Sequence, residues 1–376
     1  MSIHERIERL VALGLSPAKT IALSSKVSGR AVVGCLPVIT PDEIMHAAGY
    51  LPVGMWGGQV RFKLADSYLQ SFACSVMRAT VELAIRGTYK DVKAIFVPTI
   101  CDTLKCVLEN MKVILPETPV IGVTYPQHRG IPAGRKHMLA ELERVRAEVA
   151  KLAGAEITDD KLAKSVAVYD AFRKAMAEFL GTAAKYPALI NAKARHYIIK
   201  ASYFMEKAEY TAEIEALTQA LREQPHTPFD GLRVITTGVM ADSEPLLDLM
   251  AELNVAVVGD LMLHESIQHC RPQSFCGSPI EQMADRFLQM KGCSVFYEPA
   301  KTRGQILIDK ARETGADAVL CFLMKFCDPE EFDLPVYMAE LKQAGVKMLQ
   351  VEIDQQVDSV EQIRTRLQSF AEMLSI

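Results

Sequence analysis

Apolar residues fall along the chain in two different rhythms. Short continuous runs, Ala31-Val32-Val33-Gly34-Cys35-Leu36, Leu51-Pro52-Val53, Ala94-Ile95-Phe96-Val97 and Pro119 to Thr124, recur among stretches of helical period in the first third. Runs of that length without alternation suit strands covered on both faces, so the pattern predicts a parallel sheet between helix layers. The helices expected there are a short amphipathic one over 3–13, one opened by Thr40-Pro41-Asp42-Glu43 and closed by Gly49, one long helix over 65–86 containing Cys74, and one over 102–111. The second of these carries an N-cap residue, proline at the first helical position and acids in the first turn.

From about 135 to 224 the rhythm is helical throughout: Lys136 to Leu152, Asp159 to Thr182, Ala188 to Phe204 and Thr211 to Arg222 are charged, Ala-rich and without a convincing strand. After the turn-rich Pro225-His226-Thr227-Pro228, buried runs return at Arg233 to Thr237, Val255 to Val258, Ala318 to Phe322 and Val346 to Leu349, and an amphipathic helix over 360–374 ends the chain. The expected architecture is α/β, with two Rossmann-like, doubly wound parallel-sheet domains and a helical insert between them. The expected division is a helical segment over 1–30, a first Rossmann-like domain over 31–130, the insert over 131–228 and a second Rossmann-like domain over 229–376.

Composition narrows the function. With 376 residues, 49% hydrophobic and 23% charged, the chain can bury a sizeable core, and 42 basic against 46 acidic side chains leave no basic stripe for a phosphate backbone. Neither nucleic acid nor a membrane is an expected partner, since no apolar stretch approaches a bilayer span and the first residues lack an apolar leader core. A cytoplasmic location follows as an expectation. Nine cysteines in such a chain read as thiols, either small buried residues or ligands of a metal.

Their positions carry the most information. Ile95 to Ile100 leads into Cys101-Asp102-Thr103, and Leu320 to Phe326 leads into Cys327-Asp328-Pro329. Both copies put Cys-Asp where a strand ends and a helix begins, the crevice in which open α/β sheets bind ligands. One copy alone reads as an acid capping a helix; two copies, in separate domains, can bring Cys101 and Cys327 to one cleft from opposite sides. A third thiolate would then hold an iron–sulfur cluster with one iron left open. Cys74, followed a turn later by Arg78, is the candidate, although its spacing equally suits the apolar face of a core helix.

The other cysteines divide differently. Cys35 and Cys321 lie in apolar runs and read as core, and Cys106, roughly 140° around the helix from Cys101, should face elsewhere. His264, His269, Cys270 and Cys276 are crowded but lack the paired spacing of a structural zinc site. No phosphate-cradling glycine loop or nucleophile elbow occurs, and Gly54-Met55-Trp56-Gly57-Gly58 reads as a loop near a ligand.

Taken in order, Pro41 to Val53, Trp56-Gly57-Gly58, Phe72-Ala73-Cys74-Ser75, Ile100 to Leu104, Lys325 to Glu330, and the ending Val351 to Gln356 with Arg364 to Met373 resemble the 2-hydroxyacyl-CoA dehydratase family, most closely its β subunits, with benzoyl-CoA reductase subunits as relatives. The resemblance implies a [4Fe–4S] cluster on Cys74, Cys101 and Cys327, a related α subunit as heterodimer partner, an ATP-dependent iron–sulfur activator protein and an acyl-CoA substrate. It implies a hydro-lyase reaction: one electron makes a ketyl radical anion of an (R)-2-hydroxyacyl-CoA, the α-hydroxyl leaves, the β hydrogen becomes acidic, and the electron returns as the 2-enoyl-CoA forms. In the family the substrate-binding iron belongs to the α subunit, so relay and scaffold are the roles expected here. No acid or base is assigned, and no pattern in the sequence supports a flavin. Gly259-Asp260 stands where relatives often carry two acids, leaving Asp260 as a candidate or a cap; Glu43 reads first as a first-turn acid and second as a neighbour of the cluster. Two rivals are a benzoyl-CoA-reductase-like or double-cubane-cluster subunit, and a cofactor-free binding or assembly protein that buries its cysteines as core.

Overall fold

The computed structural model describes every residue except 37, 57, 59, 270–274, 355–359 and 375–376. Helices α1 (Ile3–Leu15) and α2 (Pro17–Ser28) lead into β1 (Ala31–Cys35), α3 (Asp42–Ala47), β2 (Tyr50–Gly54), α4 (Ser75–Ile85), β3 (Ile95–Pro98), α5 (Asp102–Ile114) and β4 (Val120–Val123). The helices α6 (Pro132–Ala153), α7 (Asp159–Ala183), α8 (Ala192–Ala201) and α9 (Lys207–Arg222) follow. Then come β5 (Leu232–Gly238), α10 (Glu244–Glu252), β6 (Val255–Met262), α11 (Pro279–Leu288), α12 (Arg303–Thr314), β7 (Ala318–Met324), α13 (Asp328–Gln343), β8 (Met348–Ile353) and α14 (Glu361–Leu374).

The strands make two four-stranded sheets, ordered β2-β1-β3-β4 and β6-β5-β7-β8, and every pairing is parallel. The two orders are the same, so the chain direction reverses across each sheet at an equivalent place, between β1 and β3 and between β5 and β7. Ligands of such sheets bind at that switch, outside the strands' carboxyl ends. The expected pair of Rossmann-like sheets is therefore present. The central strands β3 and β7 are fully buried, as their unbroken apolar sequences require.

Local signals explain the four helices α6–α9 between the two sets of strands. Thr158 accepts from the N–H of Lys161 to start α7, Asn191 accepts from Ala194 to start α8, and Gly154 ends α6 in the left-handed region. The N-terminal helix packs with α7, α8 and α9: Ile7 and Leu10 share one core with Phe172, Phe179, Ile198 and Ile214. Within the expected helical segment over 1–30, where the hydrophobic pattern marked one helix over 3–13, residues 17–28 form a second, with Pro17 at the first position and Gly29 as a left-handed stop. Polar Ser and Lys residues break the apolar stripe of this helix, which hides it from periodicity.

The expected single helix over 65–86 is corrected. A short 3-10 turn occupies Ala65–Ser67, and regular helix starts only at Ser75, with Cys74 as its N-cap. The buried carboxylate of Glu82 explains the break: its Oε2 accepts from the N–H groups of Lys63, Leu64 and Ala65 at 2.9, 2.7 and 2.9 Å. These amides are thereby satisfied outside any helix, and the chain is pinned as a loop that delivers Cys74 to the start of α4. Gly259 also has a structural cause. The β5–β6 register slips between Val234 and Ile235, and a Cβ at Gly259 would lie 2.8 Å from Cδ1 of Ile235.

A thiol-lined cavity between the two sheets

Cys74, Cys101 and Cys327 are the N-caps of α4, α5 and α13. All three line one cavity of about 330 Å³, together with residues that follow β3, β5, β6 and β7. The two Cys-Asp turns thus approach each other from the carboxyl ends of equivalent strands. The Asp102 side chain is exposed and pairs with Lys105 at 2.9 Å. Most of the remaining wall is apolar, including Val76, Met77, Leu263 and Met324. Gly238, just before the lining residues Val239 and Met240, has a φ of +146° and the carbonyl oxygen of Phe322 2.4 Å from an added Cβ, which exclude a side chain there.

The electrostatics of the three thiols are shared. Burial pushes Cys74 up to about 12, with the neighbouring Cys101 adding to the rise and the first-turn amides of Met77 and Val76 opposing it. Burial likewise raises Cys101, against the amides of Leu104 and Thr103, and raises Cys327 strongly, with Glu330, Cys74 and Cys101 adding to the effect. Three thiolates cannot coexist there uncompensated, so each sulfur keeps its proton at neutral pH unless a cation takes the proton's place. Three helix N-termini opening on one cavity favour negative charge on whatever the sulfurs hold.

Other expectations sort as follows. Cys35 and Cys321 are buried in β1 and β7, Cys321 against the Tyr337 hydroxyl at 3.1 Å, and Cys106 is exposed. Arg78 does not serve Cys74 in the way its spacing suggested; it pairs with Asp66 at 2.5 Å and lies over the Phe62 ring. Glu43 is a first-turn residue of α3, but it lies away from the thiols, buried between Arg173 at 2.9 Å and Arg286 at 2.5 Å. Asp260 pairs with Arg195 and accepts from the N–H groups of Met262 and Ser266 at 3.0 Å, so it both caps and carries a buried ion pair. Trp56 is buried, its indole N–H donating to Asp242 at 2.7 Å. Cys270 lies outside the described residues. His269 separates from the exposed Cys276 and packs against Phe172 and Tyr203, whereas His264 meets His196 and Glu265. Arg173, Arg286 and His196 escaped sequence reasoning because each acts on a partner far away in the chain.

Two parallel sheets of the same order, with a cavity walled by three cysteines between them, define the class as an α/β protein with a thiol-lined cavity at its topological switch points. Comparison with known proteins makes this specific. The family model for 2-hydroxyglutaryl-CoA dehydratase, D-component, matches residues 37–374, and the chain belongs to that family. It is 41% identical to lactoyl-CoA dehydratase subunit beta of Anaerotignum propionicum, over 98% of both chains. It is 37% identical to the (R)-phenyllactyl-CoA dehydratase beta subunit of Clostridium sporogenes, over 96% of both, and 32% identical to (R)-2-hydroxyglutaryl-CoA dehydratase subunit beta of Acidaminococcus fermentans, over 100% of both.

Proposed function

We propose that this chain is the β subunit of an (R)-2-hydroxyacyl-CoA dehydratase, a hydro-lyase, and that Cys74, Cys101 and Cys327 hold a [4Fe–4S] cluster in the cavity between the sheets. The observation that carries the proposal is the convergence of three cysteines, each at a helix N-cap, on one mostly apolar cavity. The donor set fits the group: three thiols leave one iron free, and the cavity has room beside them. When bound, the cluster supplies storage and transfer of a single electron.

The chain's own residues set the conditions for that role. The amides opening α4, α5 and α13 turn toward the sulfurs, and hydrogen bonds of this kind raise a cluster's potential. Val76, Met77, Leu263 and Met324 keep water from the walls. Phe326 and Phe332 stand exposed at the cavity's rim. On the same reading, 31–130 and 229–376 are the Rossmann-like units, 131–228 is the insert that spaces them, and 1–30 is the leading segment. A related α subunit supplies the substrate-binding iron, and an ATP-dependent iron–sulfur activator injects the electron.

The test combines the chain with its α subunit and activator, without oxygen, and follows 2-enoyl-CoA formation from (R)-lactoyl-CoA, (R)-phenyllactyl-CoA and (R)-2-hydroxyglutaryl-CoA. Turnover of at least one, lost when Cys101→Ser replaces the wild-type chain, supports the reading. Reduction of an aromatic acyl-CoA with no dehydration of any of the three contradicts it.

A further inference from the structure

Behind the second-sheet wall of the thiol cavity lies a second constellation. His264 follows β6, with its backbone N–H and its Nδ1 both within reach of the Val239 carbonyl, at 3.2 and 3.0 Å. A carbonyl only accepts, so the proton of a neutral His264 ring sits on Nδ1 and the Nε2 lone pair points the other way. That Nε2 is buried and has no hydrogen-bond partner. It faces Oε1 of Glu265 at 3.6 Å, and the same oxygen lies 3.3 Å from Nδ1 of His196, brought in by α8. The other ring nitrogen of His196 is held by the Asp242 carboxylate at 3.0 Å.

We infer that His196 Nδ1, His264 Nε2 and Glu265 Oε1 form a binding site for a divalent transition-metal ion of the zinc class. The three atoms lie within 4.8 Å of one another. Bonds of ~2.0–2.1 Å at tetrahedral angles put ligand atoms ~3.3–3.4 Å apart, so two edges, at 3.3 and 3.6 Å, are close to the required size; the third, between the two rings, lies within 4.8 Å and shortens when the ion binds. Each imidazole is already oriented from behind, His264 by a carbonyl and His196 by a carboxylate, as metal-bound histidines usually are.

Charge agrees with the geometry. With both rings neutral, the buried carboxylates of Asp242, Asp260 and Glu265 face two cations, Arg195 and Lys200, which leaves room for added positive charge. A proton on His196 supplies that charge but leaves the lone pair of His264 without a donor; a metal ion satisfies both rings at once. The site ties the insert, through α8, to the turn after β6, and the adjoining Val239 and Leu263 are walls of the thiol cavity. Its role is that of a brace between insert and second sheet. The inference does not depend on an iron–sulfur cluster being present.

The anaerobically purified whole chain is dialysed against a chelator, given one equivalent of zinc, desalted, and measured for zinc and iron together, with X-ray absorption at the zinc edge. We expect about one zinc per chain with a nitrogen and oxygen shell at ~2.0–2.1 Å, and loss of that zinc in His264→Gln with iron content and circular dichroism unchanged. Failure of the wild-type chain to retain zinc overturns the proposal, as does a shell dominated by sulfur at ~2.3 Å, which would place the ion on the cysteines. The absorption edge of the wild-type chain decides the matter alone if His264→Gln does not fold.

Discussion

Glu82→Gln tests the device that delivers Cys74. The Glu82 side chain is fully buried, its Oε2 takes three backbone N–H groups and its Oε1 takes Arg86 at 2.7 Å. Burial alone would raise its pKa, but these donors more than offset that and hold it down to about 2, from an ordinary 4.5. At about 1.4 kcal/mol per pKa unit, the ionised carboxylate contributes about 3 kcal/mol at neutral pH. Arg86 is exposed enough to be screened, so about 2–3 kcal/mol is the working figure. A chain this long, unfolding as one unit, has an unfolding entropy of about 0.8 kcal/mol/K, which converts the loss to a fall of about 2.5–4 °C in thermal midpoint. Because the folded pKa is depressed, the contribution is fully present above the unfolded value of 4.5 and is lost only as pH falls towards 2. The gap between wild type and variant should therefore be constant from pH 5 to pH 8, and iron retained per chain should fall as the loop leading to Cys74 loosens. A gap under 1 °C, or one that titrates near neutrality, would refute the reasoning.

Glu43→Gln leaves Arg173 and Arg286 buried with only the half-exposed Asp170 between them, so calorimetry should show a loss of about 3–5 kcal/mol, and a double cycle with Arg286→Met should recover part of it. Tryptophan emission should be blue-shifted and hard to quench with acrylamide, because Trp56 is the single tryptophan and is packed on Tyr203 and Phe204; emission at the wavelength of free indole in water would contradict its placement. In the native protein, mass spectrometry after brief iodoacetamide treatment should find Cys106 and Cys276 labelled and Cys35, Cys293 and Cys321 protected until denaturant is added.

The architecture was legible because its signals are local. Continuous apolar runs marked the strands of both sheets, and the repeated Cys-Asp turn marked the carboxyl ends of β3 and β7. The bounds of helix α2 inside the expected helical segment over 1–30 and the break before Cys74 were not, the first because its apolar stripe is weak and the second because Glu82 imposes it from further along the chain. The buried charge systems were invisible for the same reason. Glu43 looked like an ordinary first-turn acid until α7 and α11 brought Arg173 and Arg286 to it. The crowding of His264, His269, Cys270 and Cys276 lacked the spacing of a zinc site, and the ring that lies beside His264 is that of His196, 68 positions earlier in the chain and so invisible to local spacing.

The central claim rests on three sulfurs, and the most direct measurement is iron and acid-labile sulfide in the anaerobically purified chain beside the triple variant Cys74→Ser, Cys101→Ser, Cys327→Ser. The account predicts about four irons and four sulfides per wild-type chain and none in a variant whose circular dichroism is unchanged. Equal iron in the two, or none in either with both folded, would contradict it.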